Sequence, residues 1–404
     1  MQIRAIVLAT TALIGLSGAA HAATELYLIN CGADNEGQVP VQTADIKEWE
    51  AANPDYTVRV EFLPWEQCQE KTMTLAAAGT PPAAAYMGSR TLKQLAAAGQ
   101  IVPFTLTDEE LKSYEPSVIS TVQFDGQVWG LPRAFSTQGL YYNKDLFTEA
   151  GIDMPDGPKT FDDVLTAAKA VTEKTKAKGF GIPAADMDNT FHEFLPFLYA
   201  NGGQVVDADG KVVFDSPNNV ETLKFYQELA KYAQEGPIAY DRGKLEPLFK
   251  EGQIAMYLSG AWGRQKAEGV NFGTAAIPVG PMGKPSTLLI TDSLVVFKGT
   301  GLEEPTTSLV KFLTTPERQA KFDEAGGWTP IRAGTATDAL IAKDPMWKPF
   351  IDAVPTGGPE PLFQDYIAMQ DVAIEGLQGL ITDELTPEET AKQIQEGLDE
   401  LAGQ

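Results

Sequence analysis

The residues able to do chemistry are few. Thiols occur only at Cys31 and Cys68, and the histidines are His21 and His192. That leaves too few nitrogen and sulfur ligands for a histidine-rich zinc site and too few neighbours for a Cys-His nucleophile, so no metal is expected. A Ser-His-Asp triad is open only through His192, and no Gly-x-Ser-x-Gly elbow occurs. GPMGKPS (280–286) has the wrong glycine spacing for a phosphate loop and a proline where a helix should begin. Asp207-Ala208-Asp209-Gly210 has the outline of a calcium loop but lacks the downstream glutamate, so it reads as a hairpin turned by Asp-Gly. Catalysis would fall to carboxylates, and nothing designates a pair. No cofactor is called for.

The chain opens MQIRAIVLATTALIGLSGAAHA, with one cation at Arg4, an apolar stretch and small residues up to Ala22. This is the layout of a secretory signal peptide over residues 1–22, and a Gram-negative periplasm is the expected compartment. No later run reaches the roughly 20 apolar residues of a spanning helix, and Cys31 lacks the context of a lipid anchor. His21 leaves with the leader. So does Arg4, leaving 30 cations against 55 acids, a net charge of −25. Such a surface repels phosphate backbones and anionic lipids, which argues against nucleic-acid and membrane-surface partners. In an oxidising compartment Cys31 and Cys68 are expected to form a disulfide worth about 3 to 4 kcal/mol by loop closure, the alternative being two buried thiols.

The elements that must position any site read as strand, helix, strand, helix, strand from TELYLINC through AAAYMGS, the grammar of an open, mostly parallel α/β sheet. Ligands of such sheets sit beyond the carboxyl ends of the strands, here Asn30, Trp65 to Glu66 and Gly88 to Ser89. A second unit follows. Thr160 N-caps an amphipathic helix, an aromatic helix begins after Thr190, and strands run through QIAMYLSG and TLLITDSLVVFKG. The last 70 residues read as helical, with Pro387 at a helix start. A mature chain this long exceeds the roughly 250 to 300 residues of one core, so two lobes are expected.

The stretches TLAAAGTPP, LKQLAAAGQIVPF, QVWGLPRAFSTQGLYYNKDLFTEAGIDMP, FLYANGGQVVDADGKVVF, FKEGQIAMYLSGAW, AAIPVGP and LTTPERQAKFDEAGGWTPIR follow one another over nearly the whole mature chain. Together they resemble the carbohydrate-type extracellular solute-binding proteins of ATP-binding-cassette importers, the family that includes maltose-binding proteins. Pro82-Ala83-Ala84 stands where the family commonly has Pro-Asp-Val, and Thr291-Asp292 where a glycine pair is frequent.

The resemblance implies a two-lobed periplasmic-binding-protein fold of type II, each lobe a mostly parallel sheet flanked by helices. It implies a first lobe of residues 23–135 plus 287–330, a second of 136–286 plus 331–404, and a hinge near 133–139 and 285–292. The protein is then expected to act as a monomer that closes on a sugar and delivers it to the membrane subunits of an ABC permease. Pyranoses offer an apolar face and a fringe of hydroxyls, which call for flat rings and planar polar groups. Trp262 matches the family's stacking position, and Trp65 and Trp328, in loop contexts beside proline or glycine, are further candidates. Trp49 reads as core, Trp129 as structural. The polar candidates are Asn30, Glu66, Ser89, Ser136, Thr190, His192 and Asp292. Arg133 is expected at the mouth of the cleft, and Arg332 near Asp292. These two arginines motivate a second reading, a receptor for a sulfo- or phospho-sugar. A secreted glycoside-acting enzyme is the third.

Overall fold

The computed structural model describes residues 23–32, 37–207, 209–332 and 337–403, with the side chain of Glu66 outside that description. The leader expected over residues 1–22 also lies outside it.

Among the strands of the described residues, the ones that place the site are β1 (Thr24–Cys31), β2 (Tyr56–Leu63), β3 (Ala84–Gly88), β4 (Leu131–Asn143), β5 (Met256–Gly260), β6 (Phe272–Ala275) and β7 (Leu288–Val296). Their connected order is β2-β1-β3-β7-β4-β5, with β6 also paired to β4. In the first lobe β1 lies parallel to β2 and β3. All five residues of β3 are buried, as befits an apolar strand covered on both faces. Edge strand β2 alternates between half-buried and exposed positions over its first four residues, the period of a sheet with one wet face, and is half-buried over the rest.

The sheets are mixed where mostly parallel ones were expected. Strand β4, buried along all 13 residues, changes partners halfway along its length. Its residues 131–137 pair with β7, and residues 138–143 pair with β5 and β6. Because the chain goes out along β4 and returns along β7, these neighbours must run antiparallel, and β7 then meets β3 antiparallel as well. A crossing of this kind places both directions in each sheet.

Buried apolar side chains gather on either side of the crossing. One cluster draws on residues 26–135 and 289–331, another on 140–288 and 363–398. The terminal helices Tyr366–Ile381 and Pro387–Ala402 cover the second cluster, the latter started by Pro387 and a Thr386–Glu389 capping box. Thr160 caps the helix Phe161–Lys174 in the same way with Asp163. At the calcium-like loop the Asp207 carboxylate accepts from the amides of Asp209 and Lys211, and Val206 bridges Val212, which is a hairpin turn.

Arg133 corrects an expectation. It lies on β4 and is fully buried, away from any cleft mouth. Its guanidinium stacks 3.6 Å over the Phe322 ring and donates to the Leu313 carbonyl at 2.6 Å. It also reaches the side-chain carbonyls of Gln319 and Gln42 at 3.3 and 3.4 Å. Gln319 in turn donates to the Arg133 carbonyl and to Asp323. A guanidinium without a contacting carboxylate lies poorly in apolar surroundings, and burial lowers Arg133 to about 10. The group pins the crossing strand to the helix Pro316–Gly326. Arg133→Met keeps the stem over Phe322 but orphans the buried acceptors. We expect it to lower stability by about 1 to 3 kcal/mol in denaturant unfolding while ligand affinity stays put; a loss of affinity at unchanged stability would contradict this assignment.

Candidate functional site

Between the two clusters lies a cavity of about 210 Å³. The first lobe contributes Cys31, Gly32, Gln38, Trp65, Tyr86, Arg90 and Trp328, and β7 contributes Ile290 and Asp292. The facing wall is made by Asp188, Asn189 and His192, by Arg242, Gly243 and Glu246, and by Trp262, Gln265 and Lys266.

Each group is placed by a chain reversal. Trp65 opens the helix Trp65–Ala77 directly after β2, and Arg90 sits in the turn Ser89–Thr91 directly after β3. Asp188 and His192, four residues apart, share one face of the helix Asp188–Ala200. Arg242 and Glu246 do the same on Arg242–Lys250. Trp262 follows β5 and caps the short helix Gly263–Lys266. Trp328 follows Gly327, whose φ of 71° ends the helix Pro316–Gly326 in the left-handed region open to glycine.

The disulfide Cys31–Cys68 ties the end of β1 to the Trp65 helix, with Cα atoms 5.4 Å apart. Gln69 on that helix donates to the Cys31 sulfur at 3.0 Å and accepts from the Gly88 amide at 3.2 Å. The ends of β1, β2 and β3 are thereby braced together behind one wall.

Arg90 is the electrostatic centre. Its side chain is 4% exposed and lies 2.7 Å from Asp188, 3.2 Å from Glu360 and 3.8 Å from Asp292. Desolvation works against its charge, yet the acids around it raise its pKa above that of free arginine. Asp188 also accepts from the Trp65 indole N–H at 3.0 Å. Burial opposes that carboxylate, but Arg90, His192 and the Trp65 donor outweigh it and hold the group below the usual range. His192 touches Glu360 at 2.8 Å and the Tyr366 hydroxyl at 3.0 Å. Arg90 and Trp65 on one wall therefore grip Asp188 on the other, with Glu360 held by Arg90 and His192 behind them.

At the other end two indoles meet. Trp262 and Trp328 have ring centroids 4.9 Å apart and planes at 52°, and the Arg242 guanidinium lies 4.9 Å from the Trp262 ring. Both rings lie against glycine: a Cβ on Gly260 would come 1.9 Å from the Trp262 ring, and one on Gly326 2.2 Å from the Trp328 nitrogen. The Trp328 N–H, buried, donates to no group among the described residues.

Of the residues singled out from the sequence, the structure brings Trp65, His192, Trp262, Asp292 and Trp328 to the cavity wall. Among the described residues, the candidates Asn30, Ser89, Arg133, Ser136, Thr190 and Arg332 do not line it. Asn30 donates to the Cys31 carbonyl and accepts from Gln42. Ser89 bonds Ser293, and Thr190 donates to the Ala185 carbonyl. Ser136 accepts from the Ala261 amide, bracing the crossing strand against the Trp262 loop. Arg332 is directed to the Tyr114 ring and hydroxyl and the Thr314 carbonyl. Trp49 is core, and Trp129 stacks on Phe124 at 5.7 Å. The Glu66 side chain is among those outside the description. Sequence reading missed Arg90 and Asp188, although Arg90 stands one residue past the strand end that was flagged. For Arg242 and Glu246, exposed-looking residues on a polar helix, no sequence signal exists.

Two lobes of mixed sheet around a cleft lined by indoles and planar polar groups define a ligand-capturing binding protein. The family described as bacterial extracellular solute-binding protein matches residues 38–320, and the chain belongs to it. It is a solute-binding protein of an ABC transporter. It is 28% identical over 362 residues to the sn-glycerol-3-phosphate-binding periplasmic protein of Rhizobium meliloti (strain 1021), covering 81% of this chain and 80% of that one. An ABC transporter solute-binding protein from Thermotoga lettingae TMO, bound with α-D-tagatose, superposes with a TM-score of 0.83 at 26% identity, covering 94% of this chain and all of that one. Maltose-bound MalE3 of T. maritima gives a TM-score of 0.82 at 24% identity over the same share of this chain, a likeness of fold. Among the described residues no helix is long and apolar enough to cross a membrane.

Behind the wall, Glu193 is 2% exposed and reaches Arg242 at 3.4 Å. Burial pushes its carboxyl up to about 8 despite that cation. The folded pKa exceeds the unfolded value of about 4.3, so the native state holds the extra proton and loses stability as pH rises from about 4 through 8. Glu193→Gln removes this cost. Its melting temperature relative to wild type should rise between about pH 5 and about pH 8.5 in scanning fluorimetry, whereas a constant difference would place the titration elsewhere.

Proposed function

We propose that the protein captures an uncharged sugar of one or two rings between its lobes and hands it to a membrane permease, acting from the periplasm as a monomer and without catalysis. The observation that carries this reading is the pairing of Trp262 and Trp328 from facing walls, with Asp188, Asn189, Gln265 and Asp292 around the same cavity. Indole faces suit the C–H face of a pyranose, and carboxylates and amides suit its hydroxyls. The cavity lies below the roughly 300 to 1,000 Å³ of drug-sized pockets, in keeping with a small ligand. The Thermotoga relative bound with tagatose supports a sugar. Closure follows because a ligand touching both walls binds the shut form more tightly than the open one. The lobe boundaries and the hinge at 133–139 and 285–292 belong to the same reading, with β4 and β7 as the crossings.

A second reading, an anionic sugar derivative, draws on Arg242 and Lys266 in the wall and on the glycerol-phosphate-binding relative. The uncharged ligand is favoured because Arg90 is already matched by acids, and Arg133 and Arg332 are engaged outside the cavity. A phosphate there would also face Asp188. Thermal-shift titrations with D-tagatose, maltose and sn-glycerol 3-phosphate separate the two, since specific ligands raise the melting temperature with concentration. We expect a shift with a neutral sugar; a shift with the phosphate alone would reverse the ranking. Trp262→Ala should weaken sugar binding by about 1 to 3 kcal/mol in calorimetry with the fold intact.

A further inference from the structure

The loop that carries Trp328 is held by a residue that never reaches the cavity. Helix Pro316–Gly326 ends at Gly327. The Trp328 amide then donates back to the Asp323 carbonyl at 2.9 Å and the Gly327 amide to the Glu324 carbonyl at 3.3 Å, the paired bonds of a Schellman turn. That turn fixes where Trp328 starts. Three residues on, the Ile331 amide donates to the Asp323 carboxylate at 3.4 Å. Between them the Thr329 amide donates to the Phe135 carbonyl on β4 at 3.0 Å, and Pro330 has no amide proton to give. Of the three amide donors from Trp328 to Ile331, Asp323 therefore takes two. Its side chain is buried and lies outside the cavity wall. The Trp328 indole N–H donates to no group among the described residues, so the direction of the ring comes from this backbone and from its packing against Gly326 and Trp262.

The donors around position 323 call for an acid there. Gln319 accepts from the Arg133 guanidinium at 3.3 Å and donates to the Arg133 carbonyl at 2.8 Å, so turning its amide over would set carbonyl against carbonyl. It thus presents only N–H to the second oxygen of Asp323, at 2.7 Å. Burial pushes the Asp323 carboxyl up to about 8 against the pull of Gln319, Ile331, Arg133 and Arg332, and in either protonation state both oxygens accept. An asparagine has one acceptor and must turn its amide hydrogens against the other donor. We propose that Asp323 is a positioning residue for ligand capture: by holding the loop 327–331 at both ends it sets the angle at which the Trp328 ring meets a sugar in the cavity. This rests on the sugar reading above and deepens it.

The test is a double-mutant cycle of Asp323→Asn and Trp328→Ala, read by calorimetric binding of D-tagatose and maltose. Asp323→Asn alone should weaken binding about tenfold, and in the Trp328→Ala background it should change affinity by less than about twofold, because the ring it places is gone. A residue that merely supports the fold would cost the same in both backgrounds, and that result overturns the proposal. A second readout needs no ligand. In protein isotopically labelled at its tryptophan nitrogens, the Trp328 indole resonance, assigned with Trp328→Phe, should shift or broaden in Asp323→Asn while those of Trp49 and Trp129 hold. An unmoved Trp328 resonance overturns the proposal as well. If Asp323→Asn does not fold, Asp323→Ala, which sets no donor against the Ile331 amide, carries both measurements; if that variant also fails to fold, Asp323 is a residue of the core and the proposal falls. If Trp328→Ala binds neither sugar, the resonance decides. If wild type binds neither, the sugar reading fails, while the resonance still decides whether Asp323 aims the ring.

Discussion

A guanidinium buried between two lobes is the constraint around which this protein is arranged. Three carboxylates, from the helix Asp188–Ala200, from β7 and from the C-terminal segment, approach Arg90 at 2.7 to 3.8 Å in a place nearly free of solvent. None of them would be tolerated there alone, because the cost of desolvating a carboxylate runs to several kcal/mol. With Arg90 present they become polar groups held at fixed positions in a dry cleft. The ligand-facing surface can therefore be rich in acceptors without the lobes repelling one another. Removing Arg90 would unbalance both walls at once.

The rest of the fold serves to hold that arrangement still. Strand β4 pairs on both sides of the cleft, and the fully buried Arg133 locks its first half to the helix Pro316–Gly326 that leads into Trp328. Ser136, on the same strand, holds the amide of Ala261 next to Trp262. The Cys31–Cys68 bridge and Gln69 fasten the strand ends behind Trp65 and Tyr86. Residues read from the sequence as ligand contacts thus turn out in several cases to be supports of the cavity wall, one layer behind it.

That pattern shows what was legible beforehand. Strand ends, capped helices and the order of elements follow from local rules of period, capping and turn chemistry, so two lobes and a cleft could be read directly. Tryptophans beside glycine could be read too, since a large ring in such a context usually lies on a surface that something else must cover. Side-chain direction could not. Asn30 and Ser89 sit at the right strand ends but turn inward, to Gln42 and Ser293, because β1 and β3 are covered on both faces and every polar group there must find a protein partner. Arg133 and Arg332 were placed by charge, and a charge says nothing about which carbonyls lie within reach once the chain folds. Arg90 escaped notice because its partners lie far away in sequence, at Asp188, Asp292 and Glu360. The mixed sheet was missed for a related reason: strand direction depends on which strands carry the chain between lobes, a property of topology.

The contact between Trp262 and Trp328 has a consequence beyond recognition. Two indoles 4.9 Å apart, inclined at 52° and contributed by facing walls of the cavity, are close enough for their electronic transitions to mix. Such a pair gives a split near-ultraviolet dichroism signal whose size depends steeply on separation and angle. The unlabelled polypeptide thus carries its own optical gauge of how far apart these two walls stand.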